Sequence, residues 1–171
     1  TGELGYELFM PNELAVPMWR ALLAIESVKP AALGARDTLR TEVGYGLSGQ
    51  DFDSSRTPLE ASMDVFIAWD SDFRGKAALA AQRERGDHSV LRGIRTADRR
   101  APRHDFAVYA GEEKVGVVTS GTFGPSVGHG IGLAYLPQSL RVPGARLVAG
   151  PKALEIETAE LPFYTKGTCR A

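Results

Sequence analysis

The sequence has almost no cysteine. Cys169 stands alone among 171 residues, which excludes an intrachain disulfide and any multi-cysteine zinc site. Histidine is nearly as scarce. His88, His104 and His129 lie far apart in the chain and make no His-x-x-x-His spacing beside a carboxylate, so no metal is expected. An excess of either charge is missing too: 20 Lys and Arg stand against 21 Asp and Glu, for a formal net charge of −1. No global field therefore recruits nucleic acid or an anionic membrane surface, and neither is an expected partner. No apolar run approaches the roughly 20 residues that span a bilayer, and no signal-peptide pattern is present; the expected compartment is the cytoplasm. The chain opens on Thr1-Gly2-Glu3 rather than on methionine, and the expectation is a piece of a longer protein. What is present is ordinary for a soluble globular chain, with 43% hydrophobic and 24% charged residues. The length suits one large domain or two small ones.

The first half alternates strand-like and helix-like patterns. Tyr6, Leu8 and Met10 recur at period two before Pro11, which predicts a strand over residues 5–10. Asn12 is a natural helix N-cap, and Val16, Trp19, Leu22 and Leu23 make an apolar stripe to about Ile25. Lys29-Pro30 ends that helix, because the residue before proline leaves the helical region. A second helix is expected over 35–43. On it Arg36 and Arg40 share one face, with Asp37 and Thr41 on the next. Residues 44–55 are rich in Gly, Ser and Asp and read as a long loop of the kind that often carries function. The β-branched and aromatic run 65–69 predicts a buried strand, and the Ala, Leu, Gln and Arg content of 75–85 predicts a helix. Near residues 86–89 the texture changes. Short strands are expected at 90–95, 106–110, 114–120, 131–136, 146–149 and 153–157, a spacing that suggests a small barrel or sandwich.

Few motifs carry chemistry by themselves. Gly44-Tyr45-Gly46-Leu47-Ser48-Gly49 matches Gly-x-Gly-x-x-Gly but follows a helix, so the dinucleotide-binding context is missing and a flexible loop is the better reading. Gly124-Pro125-Ser126-Val127-Gly128 matches the Gly-x-Ser-x-Gly elbow, yet a strand follows it instead of a helix; a wide β-turn is expected. Three features are less bland. Arg36-Asp37 lies on the helix that runs into the long loop. Pro102-Arg103-His104 puts a cation in a loop of the β region, and an arginine fork suits planar anionic or amide-bearing ligands. Glu7 interrupts an apolar strand. It either points to solvent, the plainer reading, or reaches into a pocket to accept hydrogen bonds from a heterocycle.

Several segments taken in order resemble one family. They are Thr1-Gly2-Glu3-Leu4-Gly5-Tyr6-Glu7-Leu8, Val28-Lys29-Pro30, Leu33-Gly34-Ala35-Arg36-Asp37-Thr38-Leu39-Arg40, Gly49-Gln50-Asp51 and Thr57-Pro58-Leu59-Glu60-Ala61. Val118-Thr119-Ser120-Gly121-Thr122-Phe123, Ile131-Gly132-Leu133-Ala134-Tyr135-Leu136-Pro137 and Pro162-Phe163-Tyr164 follow. Together they look like the C-terminal part of the glycine-cleavage T-protein, an aminomethyltransferase. The resemblance implies an α+β chain: the C-terminal portion of a folate-binding α/β region over 1–87, then a small all-β barrel over 88–171. It implies tetrahydrofolate as substrate, the lipoyl arm of the H-protein as donor partner, release of ammonia and no metal.

By the same resemblance Glu7 holds the pterin ring and Arg36 contacts the folate. Arg103 sits in the loop that closes over the cavity and steadies an essential aspartate, and Tyr164 lines the folate entrance. That aspartate falls outside the matched motifs, so no residue here is expected to take its role and the chain alone is expected to be inactive. The chain also departs from the pattern, with Val65 where relatives carry Trp and Ser48 where they carry Tyr. Two other outcomes stay open: the folate module of a sarcosine or dimethylglycine dehydrogenase, and a non-catalytic folate-binding or assembly module. An α/β piece without its sheet partners exposes apolar surface and is further expected to self-associate through its exposed sheet edge.

Overall fold

The computed structural model describes residues 1–170. Among them three α-helices, α1 (Asn12–Leu23), α2 (Leu33–Glu42) and α3 (Lys76–Arg85), precede six strands. The strands are β1 (Ser89–Arg95), β2 (Ala107–Ala110), β3 (Glu113–Gly124), β4 (His129–Pro137), β5 (Arg146–Ala149) and β6 (Leu154–Ala159). All neighbours are antiparallel, and the order β1-β4-β3-β2-β5-β6 closes on itself through pairs such as Ile94 with Thr158. The chain is α+β, as expected. Closure leaves no open edge in this sheet among the described residues, so the expected self-association through an exposed sheet edge finds no unpaired backbone donors and acceptors to use.

Alternation fills the barrel. In β6 Leu154 and Ile156 point inward while Glu155 is exposed. Together with Ile94, Val108, Val118, Ala134, Leu136, Leu147 and Ala149 they form one core. Burying side chains of this size contributes about 1.5–3 kcal/mol each for the larger ones. β4 departs from alternation. Ala134 and Leu136 enter the barrel, whereas Leu133 and Tyr135 pack outside it with Leu91 in a second buried cluster. The helical half covers this outer face. Leu91 N–H donates to the Glu60 carbonyl at 2.7 Å, and Ser62 Oγ donates to the Leu91 carbonyl at 2.8 Å.

The loop between β1 and β2 lies flat against the barrel. A Cβ on Gly121 would collide with the Pro102 carbonyl, and one on Gly130 with the Arg100 carbonyl. Only residues without a side chain admit so close an approach.

Two expected strands are absent. Residues 5–10 run without regular structure, with Tyr6 98% and Phe9 92% exposed. Their period-two pattern describes side chains only, and no neighbouring strand here satisfies the backbone. Residues 65–69 instead begin inside a short 3₁₀ turn, Asp64–Phe66, wound by local bonds from Phe66 N–H to Met63 O and from Ile67 N–H to Asp64 O. Val65 and Phe66 are exposed rather than buried, so β-propensity yielded to the lack of a pairing partner. Asn12 lies inside α1, and Pro11 occupies the cap position. No residue of α1 is buried; Trp19 and Leu22 of its stripe line one side of a shallow groove whose other side is Tyr6, Leu8, Phe9 and Met10. Among the described residues no helix is long and apolar enough to cross a membrane.

Candidate functional site

The last turn of α2 enters the interface between the helical half and the barrel, and three consecutive polar residues there, Arg40, Thr41 and Glu42, are buried. Burying a charge is costly unless it is paired, and Arg40 is paired on every side. Its Nε and one terminal nitrogen donate to Asp37 Oδ1 at 2.8 and 2.5 Å. The other terminal nitrogen donates to Asp51 Oδ2 at 2.6 Å and to the Tyr45 carbonyl at 3.2 Å. Ser120 Oγ of β3 accepts a further bond at 2.8 Å.

Asp51 completes the arrangement from the long loop. Its Oδ1 accepts from Thr119 Oγ1 at 2.5 Å and from Ser120 Oγ at 2.6 Å, while Oδ2 also accepts from Leu47 N–H at 2.8 Å. Gln50 Nε2 donates to Ser120 Oγ at 2.8 Å and to the Thr119 carbonyl at 3.0 Å. Tyr135 of β4 donates its hydroxyl to the Asp51 carbonyl at 2.9 Å. Burial pushes the Tyr135 phenol up to about 12, against the opposing charge of Arg56, whose guanidinium lies 4.1 Å over the ring. The Gly-x-Gly-x-x-Gly stretch and the Gln50-Asp51 that follows it are thus an ordered loop pinned to the barrel. Networks satisfied this fully rigidify what they join.

A second clamp lies beside the first. Glu42 accepts from Ser126 N–H at 2.7 Å and from Ser126 Oγ at 2.8 Å, which holds the β3–β4 turn against α2. Ser126 therefore serves a wide turn, in keeping with its sequence context, and its hydroxyl is occupied. The Glu42 carbonyl accepts from Tyr164 N–H at 2.9 Å.

The four residues singled out from the sequence sit around these clamps. Glu7 is exposed on the irregular segment before α1, and Arg36 is exposed on the first half of α2. Arg103 is exposed on the loop seated at Gly121, and Tyr164 is half-buried and anchored through its backbone to Glu42. Arg36, Arg103 and Tyr164 thus ride on elements gathered at the junction of α2 and β3, whereas Glu7 lies on a separate segment. Among the described residues no hydrogen bond or ion pair joins any two of the four. Sequence reasoning missed Arg40, Asp51, Glu42 and Ser120. The signal was available in the spacing of Arg36 and Arg40 and in Gly49-Gln50-Asp51, but alternation alone does not say which of two arginines on one helix face is buried. No group of three or more His, Cys, Asp or Glu able to hold a metal occurs among the described residues.

Both halves of the chain are similar to known proteins. The model of the GCVT N-terminal domain matches residues 1–71, and that of the glycine cleavage T-protein C-terminal barrel domain matches residues 90–165. An aminomethyltransferase of Listeria monocytogenes is 41% identical over 170 residues, covering 97% of this chain and 47% of the relative. One from Thermosynechococcus vestitus is 47% identical over 137 residues, covering 80% of this chain and 37% of the relative. The crystal structure of the glycine cleavage system aminomethyltransferase T from Bartonella henselae superposes with a TM-score of 0.84 at 27% identity, covering 92% of this chain and 46% of that one. The chain spans about half the length of the curated relatives it matches. The closed barrel, the superposition and the two matched models, which together take in residues 1–71 and 90–165, agree: the chain belongs to the glycine cleavage T-protein family.

Proposed function

We propose that this chain forms the folate-facing rear of a cytoplasmic aminomethyltransferase of the glycine cleavage system. The whole protein takes the aminomethyl carbon from the lipoyl arm of the H-protein, releases ammonia and leaves 5,10-methylenetetrahydrofolate. The observation that carries this reading is the identity of 40–41% to proteins named aminomethyltransferase along nearly the whole chain. The division of labour among polar groups supports it. Arg40, Asp51 and Glu42 are consumed by internal bonds, while Glu7, Arg36 and Arg103 stay exposed and able to meet a ligand.

In this reading Glu7 accepts the N–H donors of the pterin, and a site built to pair such donors rejects analogues that lack them. Arg36 contacts the folate from its helix. Arg103 steadies the essential aspartate, which lies outside this chain, and Tyr164 borders the entrance. Residues 1–87 and 88–171 act as the folate-binding portion and the barrel that backs it. The catalytic gain comes from positioning two reactants against each other. The chain by itself therefore turns nothing over.

Calorimetry with tetrahydrofolate on the full-length protein tests the assignment. Glu7→Ala is expected to weaken binding by about tenfold or more, as loss of a charge-assisted bond should. Equal affinity in the variant removes Glu7 from the site, and a full-length protein without lipoyl-dependent folate turnover removes the reading altogether.

A further inference from the structure

A concavity of about 570 Å³ lies away from these residues, between the Asp64–Phe66 turn, α3 and the barrel end formed by β1 and the segment after β4. Its lining is cationic. Arg83 from α3, Arg92 from β1 and Arg141 from beyond β4 bring three guanidinium groups, against the single carboxylate of Asp64. Other arginines of the chain, Arg40, Arg56, Arg85, Arg95 and Arg100, form ion pairs; among the described residues Arg83, Arg92 and Arg141 form none. Arg92 Nε is buried and has no hydrogen-bond partner. Burial, and then the like charge of Arg141, lower the Arg92 pKa from its ordinary value. Two cations are thus held near each other with one buried donor unused. Arg83 lies over the Trp69 ring at 5.2 Å, which steadies it beside the cleft, and His88 and Gln138 are 3.0 Å apart on another wall.

A buried donor without a partner is rare, and a bound ion or water is one of the few things that accounts for it. The arginine fork matches the geometry of carboxylate and phosphate oxygens, and the volume falls in the range of small-molecule sites. We propose that this cleft binds a small polyanion carrying two or more carboxylate or phosphate groups, held by Arg92 and Arg141 with Arg83 at its side. The cations are confined to one concavity of a chain with net charge −1, which suits a compact ligand better than a nucleic acid backbone. None of Glu7, Arg36, Arg103 and Tyr164 lines the cleft, so the site stands apart from the folate reading.

Isothermal titration calorimetry of the full-length protein with citrate and with pyrophosphate, at low and at physiological ionic strength, tests the site. Saturable one-site binding of either probe is expected, and the tighter probe tells carboxylate from phosphate recognition. Arg141→Gln should weaken it by about tenfold or more. Val65→Trp alters an exposed lining residue without changing charge, and should weaken it comparably by filling the cleft. Arg99→Gln removes an exposed cation from outside the cleft and should leave affinity unchanged. Absence of saturable binding for both probes overturns the proposal. So does an Arg99→Gln effect equal to that of Arg141→Gln, which would reduce the binding to bulk charge.

Discussion

Arg40 and Asp51 form a buried ion pair at 2.6 Å, with 8% and 0% of their side chains exposed. The pair joins the end of α2 to the long loop, and through Ser120 it joins both to the barrel. The two halves of the chain are therefore fastened by charge as well as by apolar packing.

Removing one partner of such a pair leaves an uncompensated buried charge. Arg40→Met should destabilise the chain by about 3–5 kcal/mol, seen as a lower urea midpoint. The double variant Arg40→Met, Asp51→Leu should recover part of that loss, because both charges are then gone. A double variant as unstable as the sum of the singles would contradict the coupling.

Gly121 meets the Pro102 carbonyl with no room for a methyl group. Gly121→Ala should cost about 1–3 kcal/mol by overpacking and lift the loop that carries Arg103. Limited trypsinolysis is the direct check, with faster cleavage after Arg99, Arg100 and Arg103 than in the parent chain. An unchanged cleavage rate would show that the loop is not seated on this glycine.

Tyr135 gives stability an alkaline limit. Burial raises its pKa from 10.0 to about 12, so between these values the unfolded chain has lost the phenolic proton while the folded chain retains it. The contribution is complete below about pH 10 and fades as pH rises toward 12. Urea unfolding at pH 8 and pH 11 should show a decline in the parent that is smaller in Tyr135→Phe. The variant itself should lose about 1 kcal/mol at pH 8 for the bond to the Asp51 carbonyl.

Trp19, Val16 and Leu14 on α1 are at least half exposed, beside the exposed Tyr6 and Phe9. An apolar patch of this kind drives association. Light scattering of the 171-residue chain should give a mass above 18.4 kDa, and Trp19→Asp should lower it. A monomer across the micromolar range would count against this.

The barrel was legible because its strands satisfy each other: the short strands expected at 90–95 and 146–149 found antiparallel partners, the first in β4 and β6 and the second in β2 and β6. Residues 5–10 and 65–69 carried the same signal without a partner, and neither became a strand. Propensity describes one side of a pair. The helix 33–42 was legible, but its arginines were not ranked, since Arg36 and Arg40 share a face and only tertiary contact buries the second. The ordered motifs marked the right family while hiding the mechanical role of Asp51, whose carboxylate accepts four hydrogen bonds, two of them from Thr119 and Ser120 of the barrel.

The two-sided burial of β4 reaches beyond stability. Seven consecutive residues from Gly130 to Leu136 are shielded from solvent on both faces, whereas β6 is shielded at every second position up to Thr158. Sequence drift should therefore leave different imprints on the two strands. In a saturation library β6 should tolerate polar substitutions in a two-residue rhythm, and β4 should tolerate almost none along its length, a stretch of chain with little freedom to diverge.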